Sequence, residues 1–542
     1  MSKHYPSAER FHALDATRAF ALLLGVGLHA ALSFVPSITG WVIVDVSGHW
    51  FFNWFCFSIH TFRMQLFYLI AGFFARMLYQ KRGFAGFSKN RLCRIGLPFV
   101  VFWPALVSLN NTAWTWGGNI SGGNLIPVPL GPYLRDLFTQ GLIFKTFSQG
   151  GSFHMAHLWF LYYLLLLYVL AVALRWLILK ALPDSLHISD RADRFVAQGI
   201  DSPRLIACLT LGMGLFLWRM DGWFGVDTPA GTLVPSMPVL VLYGTFFGLG
   251  WLIQRQASLL QQFARHWRWQ VMAGTVLTVI LYFASDHLDK LGVNAVNQSP
   301  WIGSGQILNW PRFLAGLKEG ATPATARPAM ANLWQHIPEP ERAVILKTGD
   351  NCLPEVRNGV CNEINKLLSH PDLFSAGANR STNQPPAAEI GTLMMANRAT
   401  LEELYGAAVI RHPQKFSWYQ PVKFIYSMGY SLTMWLLVFG ILGFFQATFT
   451  SHTPVVRYIA DSAYWIYLLH MPLVPFLQVW MGRWVFPGLL KFLLINLITL
   501  FILFITYHLF VRSTMLGKFI NGQRYPFTPL WPWRPAQKPE AK

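Results

Sequence analysis

The chain has 542 residues, of which 53% are hydrophobic, 15% aromatic and only 12% charged. Ordinary globular chains carry about a quarter charged residues, so a soluble fold is excluded and a bilayer is the solvent this composition requires. A net charge of +19 would suit a nucleic-acid partner in a soluble protein, but here the basic residues cluster in short loops between apolar runs. That is the positive-inside pattern, and it leaves no role for nucleic acid.

The first apolar run, at about 17–37, starts after Asp15 and Arg18 and lacks a small-residue cleavage site, so it reads as a span and not as a signal peptide. Further runs lie at about 50–79, 92–109, 155–180, 204–220, 235–254, 269–286, 421–448, 455–482 and 487–512. Since about 20 apolar residues cross a bilayer as helix, the fold expected is an all-α polytopic membrane protein with about ten transmembrane helices. The stretch 110–154, rich in Gly, Asn and Pro, reads as a loop. Lys81, Arg82, Lys89, Arg91 and Arg94, then Arg191 and Arg194, then Arg255, Arg265 and Arg268, and finally Arg512, Lys518 and Arg524 all fall on one side if the spans alternate. That side is predicted to be cytoplasmic and to hold both termini, in a bacterial inner membrane.

Four regions follow. Residues 1–286 form the first part of the membrane domain, with about seven spans, and 421–515 its last three spans. Between them, 287–420 is a polar insertion placed outside the membrane by alternation, mainly helical over 355–369 and 391–410. Residues 516–542 are a cytoplasmic tail. In an oxidising compartment Cys352 and Cys361 are disulfide candidates, with free thiols as the plainer alternative. Cys56, Cys93 and Cys208 lie in apolar segments and read as packing residues. No metal-type cysteine spacing is present, and no metal site is expected.

Ionisable groups within spans are costly and ask for a reason. Arg18 and His29 are eleven residues apart, about three helical turns, which places them on nearly the same face and about 16 Å apart along the axis. A guanidinium at the mouth suits an anionic substrate, and an imidazole deeper in suits proton transfer with a hydroxyl. Each has a plainer reading, a topological Arg and a His that bonds a neighbouring helix. Asp15, three residues before Arg18, can pair with it. Arg91 and Arg94 lie one turn apart and can grip a phosphate together. Arg63 and Gln65 enter the second span, where a snorkelling Arg is the plainer reading. His157 and Trp159 open the fourth span, and Tyr467 and His470 share a face in the run ending at Pro472. These are candidates for lining a cavity. No Ser-His-Asp order, P-loop or dinucleotide fingerprint occurs.

In this order the segments resemble the membrane-bound acyltransferase 3 family. Its first-helix signature, an Arg and a His separated by ten residues, is matched by Arg18 and His29. The runs QLFYLIAGFF, NRLCRIGLP and SAYWIYLLHMP are similar to three further motifs of the family. The resemblance covers about 10–286 and 420–515 and leaves the insertion out. It implies an acyltransferase that takes a succinyl or acetyl group from cytoplasmic acyl-CoA, the donor substrate, with no permanently bound cofactor. The acceptor implied is a hydroxyl of an extracytoplasmic glucan or other saccharide. His29 is then the base or acyl relay, and Arg18, Arg91 and Arg94 bind the donor. A proton-coupled transporter of an anionic or glycan substrate, or an assembly component of a glycan-export complex, would show the same architecture.

Overall fold

A computed structural model describes residues 11–121, 129–139, 154–181, 188–199, 202–220, 225–290 and 419–526, apart from 36–40, 44, 46, 452, 483, 485 and 523. The insertion, Cys352 and Cys361 lie outside the described residues, as does most of the tail.

Every described element is helical. In chain order they are α1 (His12–Leu32), α2 (Trp50–His60), α3 (Arg63–Arg91), α4 (Leu97–Ser121), α5 (Leu130–Thr139), α6 (Trp159–Ala181), α7 (Ile188–Gly199) and α8 (Pro203–Trp218). There follow α9 (Met237–Ile253), α10 (Leu260–Lys290), α11 (Tyr419–Thr448), α12 (Pro454–Met481), α13 (Gly488–Thr506) and the short α14 (Met515–Asn521). Six helical runs are long and apolar enough to cross a membrane, from His12–Leu32 near the start to Gly488–Arg512 near the end. The protein is therefore a multi-pass membrane protein.

Two expectations change. The run 50–79 is two helices, because Phe62 leaves helical geometry at φ −138° and ψ −22°, so α2 ends at His60 and α3 starts afresh at Arg63. The third apolar run does not give way to a loop at 110. Helix α4 continues to Ser121, and its polar residues bond within the helix: Thr112 Oγ1 donates to the Ser108 carbonyl at 2.9 Å and Thr115 Oγ1 to that of Asn111 at 2.9 Å. Hydroxyls satisfied in this way do not break a helix. Cys93 and Cys208 are exposed on the molecular surface, and only Cys56 of the three is buried.

Helix crossings are close where side chains vanish. A Cβ on Gly72 of α3 would lie 1.9 Å from the Phe247 carbonyl oxygen of α9, and one on Gly250 of α9 would lie 1.9 Å from the Leu69 carbonyl oxygen. Small residues facing each other in this way let two membrane helices meet backbone to backbone. The main core gathers around α3, α6, α9 and α11, with Tyr68, Tyr243, Phe246 and Trp435 fully enclosed. A second core joins α1, α2, α12 and α13. Between the two cores lies a cavity.

Candidate active site

The cavity has a volume of about 1190 Å³ and runs between α1, α3, α4, α6 and α12. At one end it is lined by Arg18, Arg91, Arg94 and Asp461, with Asn521 of α14 across the mouth. Arg18 is held by the Ala460 carbonyl at 2.9 Å and stands 3.5 Å from Asp15. Asp15 does not itself reach the cavity; it orients Arg18 from behind. Arg91 lies over the rings of Phe87 and Tyr168, 4.9 Å from the latter's centroid. Stacking of this kind fixes a guanidinium plane while leaving its edge free for an anion. The three guanidiniums thus converge, although Arg91 and Arg94 come from a different helix to Arg18.

One α1 turn before His29, the Arg63 side chain lies against Gly25, where a Cβ would be 2.7 Å from Nη1. Its one hydrogen bond is the weak contact of Nη2 with Met64 Sδ at 3.6 Å, and among the described residues it has no carboxylate partner. It does not snorkel to an interface; it faces the cavity. Gln65 is the correction among these candidates. It is fully buried, with Nε2 directed at Met434 Sδ, because position 65 lies on the α3 face turned towards α11.

Three histidines meet midway. The His29 ring is 5.2 Å from that of His470, and His470 is 5.4 Å from His157, centroid to centroid. Hydrogen-bond partners assign the tautomers of His470 and His157. Nδ1 of His470 faces the Tyr467 and Ile466 carbonyls at 2.7 and 3.1 Å, so it carries the hydrogen and Nε2 is left as an acceptor. His157 Nε2 donates to the Leu468 carbonyl at 3.2 Å. That carbonyl is free because residue 472, four positions on, is a proline with no N–H. His29 Nδ1 and His157 Nδ1 are buried with no hydrogen-bond partner among the described residues.

Backbone geometry aims these rings. Ala156 sits at φ +49°, rare for a residue with a Cβ, and is held there by His154 Nδ1, which accepts from its N–H at 2.8 Å. The turn presents His157, and Tyr467 donates to the His157 carbonyl at 2.7 Å. Trp159, beside Tyr243, closes one wall. On α12, Gln478 Nε2 donates to the His29 and Ala30 carbonyls at 2.8 and 3.1 Å, while its Oε1 accepts from Trp41 Nε1 at 3.0 Å. Trp41 in turn stacks on the His29 ring at 5.9 Å and 13°.

Sequence reasoning assigned no site role to His60, Trp41, Asn110, Asn111 and Trp114, all of which line the cavity. For the last three a signal existed: with Val107 and Thr115 they fall at helical spacing along α4. Among the described residues no cluster of His, Cys, Asp or Glu could hold a metal ion. The arrangement offers anion binding at one end and unprotonated imidazole nitrogens at the centre, a combination suited to transfer of an acyl group from an anionic carrier to a hydroxyl.

Comparison with known proteins bears on this chemistry. The profile of the acyltransferase 3 family, described as an acyltransferase domain, matches residues 11–311. Glucans biosynthesis protein C of Salmonella paratyphi B (strain ATCC BAA-1250 / SPB7) is 34% identical over 99 residues, which cover 18% of this chain and 25% of that protein. The same protein of Salmonella heidelberg (strain SL476) matches to the same extent. The chain thus matches about a quarter of the length of these relatives. No solved structure matches it.

Proposed function

The chain belongs to the acyltransferase 3 family and is a membrane acyltransferase, and from that premise we propose that it moves a succinyl or acetyl group from acyl-CoA to a hydroxyl of a glucan or other saccharide on the opposite face of the bacterial inner membrane. The observation that carries this reading is the single cavity with guanidiniums at one mouth and three imidazoles at its centre. In it the chain crosses the membrane ten times, with both termini and the Arg18 mouth in the cytoplasm, where acyl-CoA is available. The charge bias of the loops supports that orientation.

Arg18, Arg91 and Arg94 hold the phosphates of the donor, since guanidiniums bind phosphate through paired hydrogen bonds. The acyl arm then extends along α1 towards His29. The acceptor oxygen attacks the thioester carbon while His29 takes its proton. The C–S bond breaks, an ester C–O bond forms, and the CoA thiolate leaves, to be protonated by the imidazolium. General base catalysis of this kind contributes about 10²- to 10⁴-fold. His470 and His157 hold the neighbouring ring positions. Arg63, without a carboxylate of its own, is positioned to pair with the free carboxylate of a succinyl group and has no counterpart in an acetyl group.

Purified full-length protein in detergent should release CoA from succinyl-CoA or acetyl-CoA only when a glucan oligosaccharide is added, with no ion gradient. A transporter would leave the thioester intact. Silence of the protein with both donors and several saccharides would defeat the reading.

A further inference from the structure

The α4 stripe supplies a chemistry that neither the donor nor the histidines require. Val107, Asn110, Asn111, Trp114 and Thr115 recur at i, i+3, i+4, i+7 and i+8, which gathers them on one helical face, and all line the cavity at the end remote from Arg18. Of the two amides Asn110 is buried and Asn111 exposed, and a buried amide in a bilayer helix asks for something to bond it. Asn110 is only 7% exposed, and its Oδ1 is buried with no hydrogen-bond partner among the described residues. Its neighbours Thr112 and Thr115 are satisfied within the helix, so the amide oxygen is left for a ligand that brings a donor.

Beside the amides stands an aromatic platform. Trp114 is half-buried and meets Trp41 edge to face at 5.1 Å and 75°. Trp41 is the residue stacked on His29 and bonded to Gln478. Val42 and Ile43 pack with Ala113 and Trp116 of α4, and this small core clamps the Trp41 segment to the stripe. The stripe itself carries no charged side chain, and the nearby charges Asp45 and Lys491 neutralise each other at 2.8 Å. The four guanidiniums of the cavity lie towards the centre and the other mouth.

An uncharged, hydroxyl-rich ring with an apolar C–H face is the ligand such a surface fits. The C–H face packs on an indole, and the hydroxyl rim exchanges hydrogen bonds with amides, which donate and accept. A phosphate-bearing headgroup would need a cation that the stripe lacks. We propose that Asn110, Asn111 and Trp114 of α4 form a binding subsite for a neutral pyranose, positioned by Trp41 so that one hydroxyl of the ring reaches His29. That the bound sugar is the acyl acceptor rests on the acyltransferase reading; that the subsite binds sugar does not.

The test uses the full chain in detergent, titrated with a β-linked glucotetraose by calorimetry and, separately, with acyl-CoA. Trp114→Ala and Asn110→Leu should each weaken tetraose binding about tenfold, and Trp114→Phe, which keeps a ring, less than that. All three should bind acyl-CoA as the unsubstituted protein does, a result that general unfolding would not give. The subsite is overturned if the unsubstituted protein does not bind the tetraose, if the variants bind it equally well, or if sugar and acyl-CoA binding fall together. CoA release separates the two proposals. Trp114-dependent sugar binding without any CoA release upholds the subsite and defeats the acyltransferase reading. Acceptor-dependent CoA release with an unchanged acceptor KM in Trp114→Ala does the reverse.

Discussion

The two ends of the cavity are built from opposite materials. At the Arg18 mouth, Arg18 is held by a carbonyl and by Asp15, Arg91 lies over aromatic rings, and Arg94 lines the same end. At the far end the lining is indole, amide and hydroxyl, and Asp45, three residues beyond the Val42 that packs on α4, is paired with Lys491. The first end suits a highly charged molecule and the second a neutral one. A cavity of uniform lining would serve a single solute passing through; two unlike ends with imidazoles between them suit two substrates that meet.

The contrast can be broken in several places. The largest effect is expected at the meeting point: His29→Ala should lower the rate of CoA release about 10²- to 10⁴-fold while leaving acyl-CoA binding unchanged, measured by rapid-quench kinetics and titration. Next is the neutral end. Lys491 is fully buried, and its partner among the described residues is Asp45, which also caps the turn at Ser47. Lys491→Met alone leaves a buried carboxylate unpaired and should destabilise the protein by about 3–5 kcal/mol, read as a lower melting temperature in detergent. Adding Asp45→Asn should restore most of that loss, because no charge then remains to be desolvated.

At the charged mouth, Arg91→Gln should raise the KM for acyl-CoA about tenfold, the worth of one charge-assisted hydrogen bond, with the acceptor KM unaffected. Parallel rises in both would mean that the ends are not separate sites. The smallest effect concerns discrimination: Arg63→Gln should reduce the preference for succinyl-CoA over acetyl-CoA by up to about tenfold and leave acetyl transfer nearly intact. Equal losses with both donors would assign Arg63 to the reacting carbonyl instead.

The charged end was legible in the sequence and the neutral end was not, for a physical reason. An Arg or His in an apolar run is conspicuous because charge is costly in lipid, so Arg18, His29, Arg91 and Arg94 declare themselves. Asn, Thr and Gly in a row read instead as a loop, so Asn110 to Thr115 went unread, although the Thr112 and Thr115 hydroxyls bond back into α4 and leave the helix unbroken. Helix type was readable from hydropathy, and among the described residues each of the ten apolar runs is mainly helical, the second in two pieces. The break at Phe62 carries no Pro or Gly to announce it. Gln65 shows the limit of reading polar residues one at a time: it lies two positions from Arg63, yet the 100° turn per residue sends it into the α11 contact and not into the cavity.

The central claim is that one cavity joins a donor on one face of the membrane to an acceptor on the other. Vesicles reconstituted with the full chain test it directly, with a glucan oligosaccharide trapped inside and acyl-CoA added only outside. Acylated saccharide should appear in the lumen while free CoA appears outside, and His29→Ala vesicles should show neither. Acylation that occurs only when donor and acceptor share a compartment would contradict the account.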